Sequence, residues 1–412
     1  MPDKPALKRS ASFIARARCV LAGDLGGTNS RLELFRVADG LTSDALSDVG
    51  RVRPLYRQTY KNADFAQAGF TDLLHRFLSE AGTPVTLEAG CLAVAGPVEG
   101  DRVAFTNLSW TIDARSLEDE FGMARHSMRL VNDFVANGYG VVTLEPGDYD
   151  DISPHGPIEA TPGAPVACVG AGTGLGETFA TSQHGLYDAW PSEGGHGAFA
   201  PRDDVQTELL AYLRKKFRGR VSTERVVSGK GIVNVYEFLA ERSPDAVNAH
   251  VDREIRDADE GAAVVSRAAY DDALCGRALD IVLDAYGSEL GNAAVKWLPF
   301  GGLYIAGGIA LKNVDRLRAP ETSFMRAYLD RGRLAPVLTK VPLRLVTVDD
   351  LGLRGAHYVA LTVLVADAPA AAAAPPAPAS SAPAGGDAVA ASLDGLAVAV
   401  QRAARSEEHT SE

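Results

Sequence analysis

The sequence predicts an α/β protein in two domains with a cleft, and three observations carry that prediction. The chain has 412 residues, enough for one large hydrophobic core or two ordinary ones. One local pattern, an apolar strand entering a glycine turn and leaving as a second strand, occurs at residues 19–35 and again at 165–179. Amphipathic helical segments with caps and stops fill the intervals.

In the first pattern an apolar run ends on Asp24, turns through Gly26 and Gly27, presents Thr28 and Asn29, and alternates again through Leu32 and Leu34. Glycines in such a turn let backbone N–H groups approach an anion, because no Cβ intervenes and φ is free to be positive. A dinucleotide or Walker loop needs a helix directly after the glycines, and the residues that follow read as strand, so neither is present. The simpler alternative is a Gly-Gly hairpin with Asp24 solvated.

Composition narrows the partners. A net charge of −12 argues against nucleic acid, whose phosphates require a basic footprint. Cys19, Cys91, Cys168 and Cys275 lie far apart among apolar residues, which reads as reduced core thiols of a cytoplasm-like compartment, with no zinc site or disulfide frame. No apolar run is long enough to cross a bilayer, so no membrane partner is expected. Residues 1–19 form a basic extension, and an organellar address on it stays open.

Taken in order, residues 66–80 set Phe70, Leu73, Leu74, Phe77 and Leu78 at helical spacing, and residues 89–97 read as a buried strand entering a turn. Ser116 is expected to cap the next helix. A short strand then meets Asn132 and Asp133 where a helix begins. Residues 145–165, rich in Pro, Gly and Asp, read as a surface excursion. The second glycine turn contains Gly172, Thr173 and Gly174, and Glu193 and His196 flank two further glycines. Asp203 and Ser228 are placed to cap helices, and 263–297 reads as one long helical region. A third glycine-flanked strand reaches Gly307 and Gly308, a last strand covers 341–348, and 355–365 closes the fold as a helix. From 367 to 412 an Ala- and Pro-rich tail has too little apolar variety to pack and is expected to be disordered, and residues 405–412 look like translated sequencing-adapter sequence.

Together these motifs resemble the bacterial-type glucokinase family, in its zinc-free branch, within the actin-like ATPase and hexokinase superfamily. The resemblance covers residues 20–365 and rests on Gly23 to Arg31, Asn132-Asp133-Phe134, Gly170 to Gly176, Glu193-Gly194-Gly195-His196, Glu224 to Gly229, and Ala306 to Ile309. It implies a ribonuclease H-like sugar kinase fold with mixed sheets. A small domain of residues 20–140 takes back a helix at 354–366, a large domain spans 141–353, and sugar and ATP share the cleft.

The implied reaction is ATP-dependent phosphorylation of glucose on its 6-hydroxyl, the first step of glycolysis, with ATP and Mg²⁺ as cofactors. Asp133 is then the general base, and Asn132, Asp133, Glu193, His196 and Glu224 bind the sugar. Gly26, Gly27, Thr28, Asn29, Gly172, Thr173 and Gly174 cradle phosphates, Gly307 and Gly308 admit adenosine, and Asp24 meets Mg²⁺ through water. Read without the resemblance, Asp133 is a helix cap, His196 a structural histidine and Glu224 half of a surface ion pair with Arg225. A broader hexose kinase, a non-catalytic sugar-binding regulator and a homodimer stay open.

Overall fold

The structure is a computed structural model that describes residues 16–367 apart from 39–40, 42–45, 47, 106–107 and 184. Most of the basic extension, and the tail from residue 368, lie outside the described residues. The chain divides into two compact units, one running to Asp133 and resuming at Gly352, the other spanning Phe134–Leu351.

The first unit holds β1 (Ala17–Leu25), β2 (Asn29–Arg36), β3 (Tyr56–Lys61), α1 (Phe70–Glu80), β4 (Val85–Val94), β5 (Arg102–Ala104), β6 (Thr111–Asp113), α2 (Ala114–Phe121) and β7 (Met128–Asn132). Its main sheet has the order β3-β2-β1-β4-β7, with the first three strands antiparallel and β4 and β7 parallel to β1. Phe70, Leu73, Leu74 and Phe77 of α1 are buried in the core, as their spacing predicts. The helix starts only at Phe70, because Gly69 takes φ 89° and interrupts the turn that begins at Asn62. Ser116 is not the cap of α2. Asp113 accepts the Ser116 N–H at 3.0 Å, so Ser116 is the capped residue.

The second unit contains α3 (Asp133–Val141), whose first residue belongs to the first unit, then β8 (Tyr149–Asp151), β9 (Val166–Ala171), β10 (Leu175–Gln183), β11 (Leu186–Ser192), α4 (Asp204–Lys216), α5 (Gly229–Arg242), α6 (Ala249–Asp257) and α7 (Gly261–Ala268). It continues with α8 (Ala273–Trp297), β12 (Gly302–Ala306), α9 (Gly308–Lys312), α10 (Asp315–Arg318), α11 (Ser323–Leu329), α12 (Ala335–Leu338) and β13 (Leu343–Val346). Helix α13 (Leu351–Asp367) follows, and all but its first residue return to the first unit, where His357 stacks on Phe35 at 3.6 Å.

The second sheet has the order β11-β10-β9-β12-β13-β8, again an antiparallel trio followed by two parallel strands. The excursion expected at 145–165 instead supplies β8, which pairs antiparallel with β13 at the sheet edge. The helix expected at 263–297 is two helices, because Asp272 caps α8 by accepting the Cys275 N–H at 2.9 Å and so starts a new one. Asp203 and Ser228 cap α4 and α5 as their positions suggest. All four cysteines are buried and unpaired. Among the described residues no helix is long and apolar enough to cross a membrane.

Candidate functional site

In the first unit the turn between β1 and β2 leaves Gly27, Thr28 and Asn29 exposed. Its frame is polar. Gly26 N–H donates to the Asn29 carbonyl at 3.0 Å, and Asn62 donates from Nδ2 to the Gly26 carbonyl at 2.8 Å. The Asn62 amide oxygen accepts from Ser30 at 2.7 Å, and its backbone N–H reaches the Thr28 carbonyl at 2.9 Å. Asn62 is thus a buried brace for the whole turn, and no sequence pattern singles it out, because it arrives from the far end of β3. Neither Gly26 nor Gly27 adopts a left-handed φ, contrary to one reason offered for glycine there; what these residues provide is the missing Cβ.

Asp24 sits opposite Arg31 across β1 and β2 and pairs with its guanidinium at 2.5 Å. Among the described residues no group of three or more metal-binding side chains occurs. A Mg²⁺ ion here would therefore take its first shell from phosphate oxygens and water, with Asp24 reached through water, and the donor set fits that arrangement. At the end of β7, Asn132 donates to the Gly96 carbonyl at 3.3 Å, and Asp133 is the first residue of α3.

In the second unit the glycines of 170–176 serve different neighbours. A Cβ on Gly170 would lie 2.7 Å from the Phe134 ring, and one on Gly176 would overlap the same ring. These two glycines are seats for Phe134. Gly172 faces open space, its N–H donating to the Gly174 carbonyl at 2.9 Å and its own carbonyl accepting from Gly229 at 2.8 Å. Gly174 leaves room for the Glu224 carboxylate, which accepts the Leu175 N–H at 3.0 Å. Glu224 is not ion-paired with Arg225, whose guanidinium lies over Phe217 at 4.2 Å.

Glu193 and His196 flank the single turn Gly194–His196, with side chains largely exposed and 3.6 Å apart. A Cβ on Gly195 would collide with the Leu175 carbonyl oxygen, so the turn rests directly on β10. Arg220 donates to the His196 carbonyl at 2.6 Å, and Thr223 N–H to the Gly197 carbonyl at 2.9 Å. These bonds bring Glu193, His196 and Glu224 into one neighbourhood around Leu175, a residue whose role is invisible in sequence because it acts only through its backbone.

A separate pocket of about 410 Å³ in the same unit is lined by Gly172 and Thr173, by Gly229 and Lys230 of α5, by residues 259–263 at and before the start of α7 with Ser266 of that helix, and by Gly308 and Lys312 of α9 with Asn313 just after it. It joins three of the residues expected at the nucleotide, Gly172, Thr173 and Gly308. Gly174 is turned to Glu224 instead, and Gly307, at φ 88°, lies against Ala171, where any Cβ would overlap the Ala171 carbonyl. Lys230, Lys312 and the start of α7 were not expected. Lys230 had a local signal, since it follows the capped start of α5, whereas the others are assembled only by the fold.

The most deeply buried carboxyl near these residues is Glu177 of β10, 1% exposed. Burial, and then the charge of Glu289 on α8, push it up to about 7 against the opposing effect of Lys296.

A family model described as Glucokinase matches residues 21–363. The glucokinase of Nostoc punctiforme is 37% identical over 354 residues, which cover 83% of this chain and 98% of the relative. That of Synechocystis is 38% identical over 361 residues, covering 82% and 97%. Among solved structures, a glucokinase from an Antarctic psychrotroph aligns with a TM-score of 0.69 at 28% identity over 84% of this chain and 99% of that one. The glucokinase of Balamuthia mandrillaris, solved with glucose, shares the fold at a TM-score of 0.66 and 22% identity over 85% and 95% of the two chains.

Proposed function

The chain belongs to the glucokinase family, and from that premise we propose that it transfers the γ-phosphoryl group of ATP to the 6-hydroxyl of D-glucose, giving glucose 6-phosphate and ADP. The observation that carries the reading is the arrangement around Leu175, whose N–H holds Glu224 while its carbonyl supports the turn bearing Glu193 and His196. Two carboxylates and an imidazole gathered around one backbone position suit a ligand that is nearly all hydroxyl, since each sugar O–H needs a partner once it leaves water.

Asn132 and Asp133 complete the proposed sugar contacts. Asp133 accepts the proton of the 6-hydroxyl as that oxygen attacks phosphorus, and Asn132, tethered to Gly96, orients the same end of the sugar. The exposed residues Gly27, Thr28 and Asn29 and, in the second turn, Thr173 meet phosphate oxygens, with Gly26, Gly172 and Gly174 shaping the two turns, since the Gly172 N–H is already bonded to the Gly174 carbonyl. Adenosine occupies the pocket formed by α5, α7 and α9, with Gly308 lining it and Gly307 allowing α9 to approach β9. Mg²⁺, when bound, would supply charge neutralisation for the phosphates, and Asp24, paired with Arg31, would be the residue to hold it through water.

The test is ADP release measured with a panel of sugars. Glucose should exceed mannose in kcat/KM by about tenfold or more, since each displaced hydroxyl leaves buried polar groups unpaired at about 1–3 kcal/mol, and fructose should be poorer still. Equal rates on all three would replace this reading with a broad hexose kinase, and glucose binding without ADP release would replace it with a sugar-binding regulator.

A further inference from the structure

Glu177 lies beneath the Glu193–His196 turn, in a place where a carboxyl needs an explanation. It belongs to β10, pairing with Val169 of β9 on one side and Ser192 of β11 on the other, and among the described residues neither of its oxygens has a hydrogen-bond partner. A Cβ built on Gly194 would land on its Oε2, although Gly194 needs no left-handed φ. Gly194 is therefore a glycine because the Glu177 carboxyl fills the space under the turn. From α8, the charge of Glu289 acts on Glu177, while Glu289 is itself held by Asn292 at 3.1 Å and Lys296 at 3.4 Å.

The ionisable groups around Glu177 come from two elements. Helix α8 contributes Glu289, Lys296 and the buried phenol of Tyr286, and the turn above carries Glu193 and His196 with exposed side chains. The flanking strand residues Val169 and Ser192 carry no charge. With the proton present, Glu177 is a neutral acid beside the Glu289 side chain, and its Oε2 packs under Gly194. Without it, two buried carboxylates repel with one lysine to offset them. The 25-residue α8 is packed in the core on most of its faces, whereas the turn is three residues long and carries exposed side chains. The turn is the side that yields.

We propose that Glu177 is a positioning residue for the sugar, its protonated carboxyl setting the height at which the Gly194 turn presents Glu193 and His196. The proposal rests on the reading that this turn binds glucose. It follows that only the protonated form is competent to bind tightly, and that glucose binding draws a proton onto Glu177. Because burial and the charge of Glu289 push the carboxyl up to about 7, the competent fraction should fall as pH rises from 6 to 8.

The experiment is the KM for glucose of the full-length protein from pH 6 to pH 8.5, followed by ADP release, for the wild type, Glu177→Gln and Glu289→Gln, each first shown to be folded by circular dichroism. The wild-type KM should rise several-fold between pH 6 and pH 8, while kcat at saturating glucose does not share that step. Glu177→Gln keeps the shape and stays neutral, so its KM should stay within about twofold of the pH 6 wild-type value throughout. Glu289→Gln removes the like charge, so the step should move to lower pH. That arm still decides the question if Glu177→Gln fails to fold. A wild-type KM that is flat with pH, or a step that persists unchanged in Glu177→Gln, overturns the proposal and assigns any pH dependence to His196 or another group. A wild type that releases no ADP with glucose at any pH overturns the functional reading and this proposal with it, an outcome distinct from an active enzyme whose step ignores both substitutions.

Discussion

The two units repeat one strand order around two unlike turns. In each, an antiparallel trio (β1, β2 and β3, or β9, β10 and β11) is extended by two parallel strands (β4 and β7, or β12 and β13), and a glycine turn joins the first two strands of the trio. The first turn is polar in its frame. Asn62 braces it from below, and Asp24 and Arg31 face each other with opposite charge. The second is packed. Phe134 occupies the space left by Gly170 and Gly176, the Glu224 carboxylate that left by Gly174, and a lone carboxyl, Glu177, is buried in the strand that leaves the turn. Similar sequence in the two places thus serves different ends. In the first turn the glycines leave the backbone open to its surroundings, and in the second most glycines make room for other parts of the protein.

The largest effect is expected at Asp133, which starts α3 and places the proposed chemical base in the first unit. Asp133→Asn should remain folded and bind glucose while losing about 10²–10⁴ in kcat. Asparagine caps a helix nearly as well as aspartate, so a variant within a few-fold of wild type would show that Asp133 only begins α3.

Next in size is the buried carboxyl of the second sheet. The folded protein holds the Glu177 proton up to about pH 7, whereas the ordinary value is 4.5, so below pH 4.5 both states carry it and no penalty arises. As pH rises above about 4.5 the unfolded chain loses the proton first, and stability should fall until the folded protein releases it too. Urea unfolding of wild type and Glu177→Gln at pH 5 and pH 8 checks this, and the glutamine variant should lack that fall. Parallel pH dependence in the two proteins would remove the burial argument.

A smaller effect separates the glycines themselves. Gly176→Ala forces a methyl group into the Phe134 ring and should cost about 1–3 kcal/mol of unfolding free energy. Gly26→Ala places its Cβ at 3.5 Å from the Asn29 carbonyl, an ordinary contact, and should change stability by less than about 0.5 kcal/mol. Its effect should fall instead on the KM for ATP. If the two substitutions cost the same in thermal melting, the contrast between an open and a packed turn fails.

Much of this was present in the sequence for local reasons. Strand alternation around Asp24 and Gly172, the helical spacing of Phe70 to Phe77, and the caps Asp203 and Ser228 depend on residues a few positions apart, and physical rules of short range suffice to read them. The misses have the same origin in reverse. Gly69 and Asp272 interrupt helices that apolar periodicity alone would continue, and the cap at Asp113 stands three residues before the serine expected to serve.

What the tertiary structure alone decided is the company each site residue keeps. Residues 149–151 become an edge strand only because β13, almost two hundred positions later, offers unpaired backbone. Asn62 under the first turn, Leu175 joining Glu224 to the Gly194 turn, and α7 and α9 closing on Thr173 are meetings of segments far apart in the chain. A glycine in sequence states that no side chain is wanted. Whether the space is kept for a phosphate, a phenyl ring or a buried acid depends on what the fold brings to its surface, and on which neighbours remain to satisfy the polar groups that lose water there.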